Sequence, residues 1–311
     1  MKRSYRPQRP RRVSSLVGGH ASLSPARAAE LVGASESTLK RWVDAGHIRA
    51  EKTAGGHRRI PVADLVAFLR SRGRTVPSLG ALGFFGGPRR PRSLAARLTP
   101  EGLADLLLGG DVGVARRLLS DAFAAGRPLD ELGDGIVAPA MAWIGTRWAD
   151  GTIDVSQEHL ATQRLWSLLA ELRGLLPVPR GRAPVAAGGA PEGDPYVLPG
   201  LTVELTLLDL GWRVVNLGPE TPMTALAIAV HQHRPRLVWL SITTQRPAPT
   251  FLDDYPRLIE ATRTCRAGLI VGGQGVTPEL QHRLVAAAFG TRLAHVREFA
   301  RTLHRGRETA R

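Results

Sequence analysis

The chain has 311 residues, more than one ordinary domain uses, so two or three compact units with their own cores are expected. Its 42 Lys and Arg against 27 Asp and Glu leave a formal charge of +15, which favours a polyanionic partner without fixing a fold. A single cysteine, Cys265, excludes an internal disulfide, the lack of a Cys/His cluster excludes a structural zinc, and no apolar run reaches the roughly 18 residues of a membrane span. The expectation is a cytoplasmic chain with no metal and no membrane partner.

The first twelve residues, MKRSYRPQRPRR, hold six basic groups and no acid, and Pro7 and Pro10 oppose a helix. Residues 1–20 therefore read as a disordered basic arm. Two stretches rich in turn formers, GRTVPSLGALGFFGGPRRPR at 73–92 and LPVPRGRAP at 176–184, divide the remainder of the chain. The resulting boundaries are a head at 21–73, a linker at 74–95, a helical unit at 96–176, a linker at 177–184 and an alternating unit at 185–311.

In the head, Ser24 caps and Pro25 opens a first helix that Gly33 stops. ASESTLKRWVDAG then gives a second helix, capped by Ser35, with Leu39, Trp42 and Val43 as its buried stripe and Gly46 as its stop. Two short helices about a glycine turn make a helix-turn-helix, whose second helix offers its early residues to base edges. Here those are Glu36, Ser37, Thr38, Lys40 and Arg41, the last two being the strongest groups for phosphate or guanine. HIRAEKTAGGHRRIP follows as strand, turn at Gly55 and Gly56, and return strand carrying His57, Arg58 and Arg59, before PVADLVAFLR forms another helix. The order of elements and the charge together point to double-stranded operator DNA rather than to a merely solvated basic face.

Residues 98–175 contain no strand signal, and helical spacing with capping residues gives four helices closing into a bundle. Trp143, Trp148, Glu158 and His159 lie there; taken singly, a bundle tryptophan is a core residue and a helix-start glutamate answers the dipole. The last block alternates. VAAGG (185–189), WRVVNLG (212–218), RLVWLSI (236–242) and AGLIVGG (267–273) read as strands, RLA near 292 as a fifth, with helices near 200–210, 222–233, 250–264 and 277–288. Continuous apolar strands separated by helices indicate a parallel sheet covered on both faces, with ligands beyond the carboxyl ends of its strands. That edge is made of EGDPYVLP, the stretch after Leu217, SITT at 241–244 and GGQG at 272–275.

The run LSPARAAELVGASESTLKRWVDAGHIRAEKTAGGHRRIPVADLVAFL resembles the winged-helix DNA-binding domain of the MerR superfamily. The order of head, helical cap and sheet, with Trp148 followed by Glu158 and His159, resembles the cobalamin-binding regulators of the CarH and LitR type. The resemblance implies a multidomain fold: a largely α-helical winged helix-turn-helix with a small β wing, a four-helix bundle cap, and a flavodoxin-like α/β domain with a parallel five-stranded sheet. It implies cobalamin as cofactor, with Trp148, Glu158 and His159 over the upper face of the corrinoid. It also implies a lower-face frame, Asp-x-His-x-x-Gly, and here this chain departs: the frame reads Asp194, Pro195, Tyr196, Val197, Leu198, Pro199. The axial His is replaced by Tyr196 and the glycine by Pro199, while Ser241, Gly272 and Gly273 of the later edge motifs are kept and Thr243 stands where an apolar residue is usual.

A tyrosine phenol, with an ordinary pKa of about 10, is mostly protonated and a poor donor at neutral pH, so strong axial ligation of cobalt is not expected. Three states of the site fit these residues: cobalamin held without a protein ligand, another planar tetrapyrrole such as haem with a tyrosine ligand, or a closed pocket kept for packing or dimer formation. A light response is not implied, because Ala149 stands where photosensing members carry a second His. The leading function is a transcription regulator, acting on DNA as a dimer or tetramer under control of its C-terminal two domains. The competing class is a corrinoid carrier in methyl transfer. A basic head has no place in that chemistry, and no nucleophile, base and orienting group converge, Ser241, His231 and His233 being loop or helix residues. No catalytic residue is assigned.

Overall fold

The computed structural model of the chain describes residues 22–74, 76, 98–179, 181–245 and 250–305. The basic arm and most of the first linker lie outside the described residues.

The head comprises β1 (Ser22–Leu23), α1 (Pro25–Leu31), α2 (Glu36–Asp44), β2 (Glu51–Lys52), β3 (Arg58–Pro61) and α3 (Val62–Ser71). Ser24 Oγ accepts the Arg27 amide at 3.2 Å and Ser35 Oγ the Thr38 amide at 3.1 Å, so each cap satisfies a backbone donor that the helix cannot. Between α1 and α2 the chain reverses at Gly33, with φ +63°, a conformation that costs a side chain and suits glycine. The wing is an antiparallel pair, Glu51 opposite Arg59 and Lys52 opposite Arg58. Its third strand, β1, pairs with the inner end of β3 and has no sequence signal, because two residues carry no period. Leu39, Ile48, Ile60, Leu65 and Leu69 close the core beneath; Trp42 and Val43 are only half-buried.

The cap is built from α4 (Pro100–Gly109), α5 (Val112–Ala124), α6 (Leu129–Leu132), α7 (Ala138–Ala149) and α8 (Val155–Arg173). A π-helical turn at Gly133–Val137 joins α6 to α7 in one continuous rod, which gives the four helices expected. π turns widen a helix locally and tend to mark functional joints. Leu103, Leu107, Leu119, Phe123, Ile144, Leu165 and Leu168 fill the interior.

The last unit runs β4 (Val185–Gly189), α9 (Val197–Asp209), β5 (Arg213–Asn216), α10 (Met223–His233), β6 (Leu237–Ser241), α11 (Phe251–Cys265), β7 (Gly268–Gly272), α12 (Pro278–Arg283), β8 (Ala288–Gly290) and α13 (Leu293–Arg305). Its sheet is parallel with order β5-β4-β6-β7-β8. One core lies between the sheet and α10 with α11, around Leu226, Val238, Leu240 and Leu258. The opposite face carries α9 and α13 over Trp212, Trp239, Ile270 and Val296. The fifth strand is not RLA near 292 but Ala288–Gly290, and the helix expected over 277–288 stops at Arg283. AAAF favours helix by composition, but pairing of Ala288 with Ile270 and Phe289 with Val271 satisfies its backbone in the ladder and overrides that preference. Leu293 instead begins α13.

Charged side chains join the three units. Arg70, near the end of α3, pairs with Asp209 of α9 at 2.9 Å, donates to the Arg127 carbonyl at 3.2 Å, and lies 3.9 Å from the centre of the Phe123 ring. Arg173 of α8 pairs with buried Glu204 of α9 at 2.8 Å. Asp134, inside the π turn, accepts the Leu293 and Ala294 amides at 2.8 and 3.0 Å and so caps α13 from the neighbouring unit. Buried Asp130 pairs with Arg297 one turn further along α13. A Cβ at Gly133 would fall on the Leu293 side chain, so the glycine permits this close approach.

Candidate functional site

Two surfaces carry the residues that the sequence singles out. On the head, α2 exposes Glu36, Ser37, Lys40 and Arg41, and its Thr38 is half-buried. Ser35 Oγ lies 2.9 Å from both Ser37 Oγ and Thr38 Oγ1, and Arg41 donates to Thr38 Oγ1 at 3.3 Å, which orders the first turn and holds the guanidinium along the helix. In the wing, Gly56 has φ +79° and the His57 amide donates to Thr53 Oγ1 at 3.2 Å, so the hairpin tip is held by its own hydroxyl. Alternation along β3 turns Arg58 and Arg59 to opposite faces. Arg58 pairs with Asp44 at the end of α2 at 2.8 Å and so fixes wing to helix, whereas Arg59 and His57 stand exposed. Ser24, Pro25, Thr53, His57, Arg58 and Arg59 line an open groove of about 490 Å³ between wing and α1.

The second set of residues is divided between the carboxyl edge of the sheet and the α7–α8 turn at one end of the cap. Trp148 is 51% exposed at the end of α7, and His159 is exposed at the start of α8. Glu158 accepts the Thr162 hydroxyl at 2.9 Å and lies 3.6 Å from His159 Nε2. The turn between the two helices is tied by its own hydrogen bonds. Donors from Thr152 on Asp150, and from the Ser156 hydroxyl and Gln157 amide on Asp154, hold both carboxyls below the usual carboxylate range. The cap end therefore presents an aromatic face and an acid–imidazole pair on a fixed turn, groups that suit an amide-fringed planar ring.

At the sheet edge the polar groups are already used. Asp194 is fully buried. Its Oδ2 accepts the Thr243 and Thr244 amides at 2.5 and 3.0 Å, and its Oδ1 accepts the Tyr196 amide at 3.2 Å. The loop EGDPYVLPG thus serves as a staple between the ends of β4 and β6. Sequence reasoning missed Glu220, which completes that staple: its carboxylate accepts the Gly193 amide at 2.7 Å and its own amide donates to the Asp194 carbonyl at 3.1 Å. No periodicity could have signalled it, since Glu220 acts through a turn residue at φ +52°. Tyr196 is 52% exposed before the first turn of α9, and no hydrogen bond orients its phenol among the described residues. Pro199 sits within that first turn, where the missing N–H is tolerated. Ser241 is buried at the end of β6. A Cβ at Gly272 would strike the Gly290 carbonyl, and one at Gly273 the Ile242 carbonyl, so these glycines permit backbone-to-backbone packing at the edge. The edge does not fit a mode in which a protein side chain ligates cobalt, since the group at position 196 is a phenol, a poor donor at neutral pH. Among the described residues no cluster of three or more His, Cys, Asp or Glu is placed to hold a metal ion, and no helix is long and apolar enough to cross a membrane.

A helix-turn-helix head, a four-helix cap and a doubly covered parallel sheet define a DNA-binding regulator with a corrinoid-type module. Residues 22–73 match the family model of a helix-turn-helix domain and residues 100–173 that of a B12 binding domain. The chain is 30% identical over 265 residues to the HTH-type transcriptional repressor CarA of Myxococcus xanthus, covering 81% of this chain and 87% of that protein. With the repressor CarH of the same organism it shares 37% identity over 144 residues, 46% of this chain and 47% of the relative's length. The chain belongs to this family of HTH-type transcription regulators with a B12-binding module. A monomethylamine corrinoid protein of Methanosarcina barkeri aligns over 64% of this chain and 95% of its own, with a TM-score of 0.53 at 20% identity, a likeness of fold alone.

Proposed function

We propose that the chain is a repressor that grips operator DNA with α2 and the wing. Lys40, Arg41, His57 and Arg59 meet the duplex, with Ser37 and Thr38 at the leading turn, while Arg58 positions the wing through Asp44. The observation that carries this reading is the division of labour in β3: one arginine is bound to the head's own carboxylate, and the next stands exposed, as does His57 two residues before it. Phosphate contacts supply most of such binding and make it salt-dependent. Two-fold or repeated half-sites follow if two or four copies assemble on the operator. A mobility shift on operator-containing DNA, titrated with salt, tests the reading; affinity that is absent even in dilute buffer sinks it.

The cap and sheet modulate that grip. A corrinoid would be held against Trp148, Glu158 and His159, and Asp194, Tyr196, Ser241, Gly272 and Gly273 would form a closed floor. The exposed ring of Trp148 is what supports this reading, as an aromatic face open to a planar ligand. Such a ligand acts only through unequal affinity for two assembly or domain arrangements. Absorbance of the desalted protein after incubation with hydroxocobalamin or dicyanocobinamide, in wild type and Trp148→Ala, checks the ligand half independently of the DNA half.

A further inference from the structure

Strand β4, next to the central strand β6, ends in two glycines, Gly188 and Gly189, which leave the strand end bare of side chains. A hollow there would open from the edge downward, between the sheet and the helices α9 and α13. One side chain fills it. Trp239 of β6 pairs with Gly188 across the ladder, is 2% exposed, and occupies the place into which a Gly188 Cβ would project. Above Gly189 the Gly218 carbonyl and the Thr221 side chain close the gap. By the two-residue period of a strand, Trp239 lies on the same face as Ser241, one step beneath the rim. It belongs to the same buried apolar cluster as Ala186, Val203, Leu207, Ile270 and Val296. Its indole N–H is buried with no partner among the described residues, a cost that a leucine at this position avoids.

We propose that Trp239 sets the ligand specificity of this edge: it fills the side-chain-free descent at the end of β4, so that the module takes a corrinoid by its ring and rejects one that carries a nucleotide on its lower face. The proposal rests on the corrinoid reading of the cap. A lower nucleotide is a planar base on a long ribose-phosphate arm, and beneath a ring seated at this edge it has two places to go. Asp194 and Glu220 hold the loop side shut through four hydrogen bonds to backbone amides. Trp239 holds the sheet side shut. A corrinoid without the nucleotide needs neither space.

Equilibrium dialysis of the full-length protein against dicyanocobinamide, which lacks the nucleotide, and hydroxocobalamin, which carries it, reads the effect by absorbance. Wild type is expected to hold cobinamide at least ten-fold more tightly, and Trp239→Ala to gain at least ten-fold for hydroxocobalamin while its cobinamide affinity changes little. Trp239→Leu, which keeps the core apolar, is expected to gain less; circular dichroism of each variant confirms that it is folded. Equal affinity of wild type for the two corrinoids overturns the proposal, and this comparison decides alone if neither variant folds. If wild type holds neither probe, the corrinoid reading itself fails, and the blocking role then stands or falls on whether folded Trp239→Ala acquires hydroxocobalamin.

Discussion

The wing and the sheet edge are built from similar polar residue types, and they use them in opposite directions. In the wing, Arg59 and His57 stand exposed, while Arg58 is held by Asp44. At the edge, Asp194 points inward and its carboxylate is taken up by amides of Thr243, Thr244 and Tyr196. Polar groups left exposed remain available to a ligand; those satisfied by their own backbone have become structure. A motif residue at the right position therefore indicates binding in the first case and stapling in the second.

The comparison breaks most readily at the head. Replacing Lys40, Arg41 and Arg59 together by alanine should remove three phosphate contacts and lower the slope of log affinity against log salt by about 2–3, with a loss on the order of 10³-fold at low salt. A mobility-shift series at several salt concentrations measures both; an unchanged slope would mean that other residues carry the charge. Next in size, Asp194→Ala should cost about 3 kcal/mol of stability in urea unfolding, because it strands the amides of two adjacent threonines and of Tyr196. A change below roughly 0.5 kcal/mol would show the loop to be open rather than stapled.

Arg70→Ala tests whether the head is docked or loosely attached. The Arg70–Asp209 pair is only 14% exposed on each side, and breaking it should cost about 2–3 kcal/mol and increase protease cleavage after the head. Smallest in energy is Trp148→Ala: its exposed ring makes the expected stability change less than about 0.5 kcal/mol, while corrinoid retention should be lost. Tyr196→His sharpens the contrast further. Alone it should leave hydroxocobalamin binding near the wild-type level, since Trp239 still fills the descent; combined with Trp239→Ala it should raise retention beyond either single change.

Much of the head was legible in the chain because its signals are local. Ser24, Pro25, Gly33, Ser35 and Gly46 each act within a few residues of their place in sequence, and the structure uses them at the helix ends where they were expected. The alternation of apolar strands and helices likewise announced the parallel sheet. Less of the edge could be read. Asp194 stood out by its motif, but two of its three partners lie about fifty residues away, and all are backbone amides, which have no sequence identity. Trp239 looked like an ordinary apolar strand residue, and only its pairing with Gly188 shows what it fills.

The sequence by itself determined the order of three units, the helix caps, the charged wing and the presence of a tyrosine rather than an imidazole at position 196, all properties of neighbouring residues or of residue type. Tertiary structure alone decided that Ala288–Gly290 is a strand, that Asp134 caps a helix in another unit, that Arg70 joins all three, and that the sheet edge is closed. The physical reason is that hydrogen bonds and packing across long sequence separations depend on which backbone atoms meet, and that is settled only when the whole chain has folded.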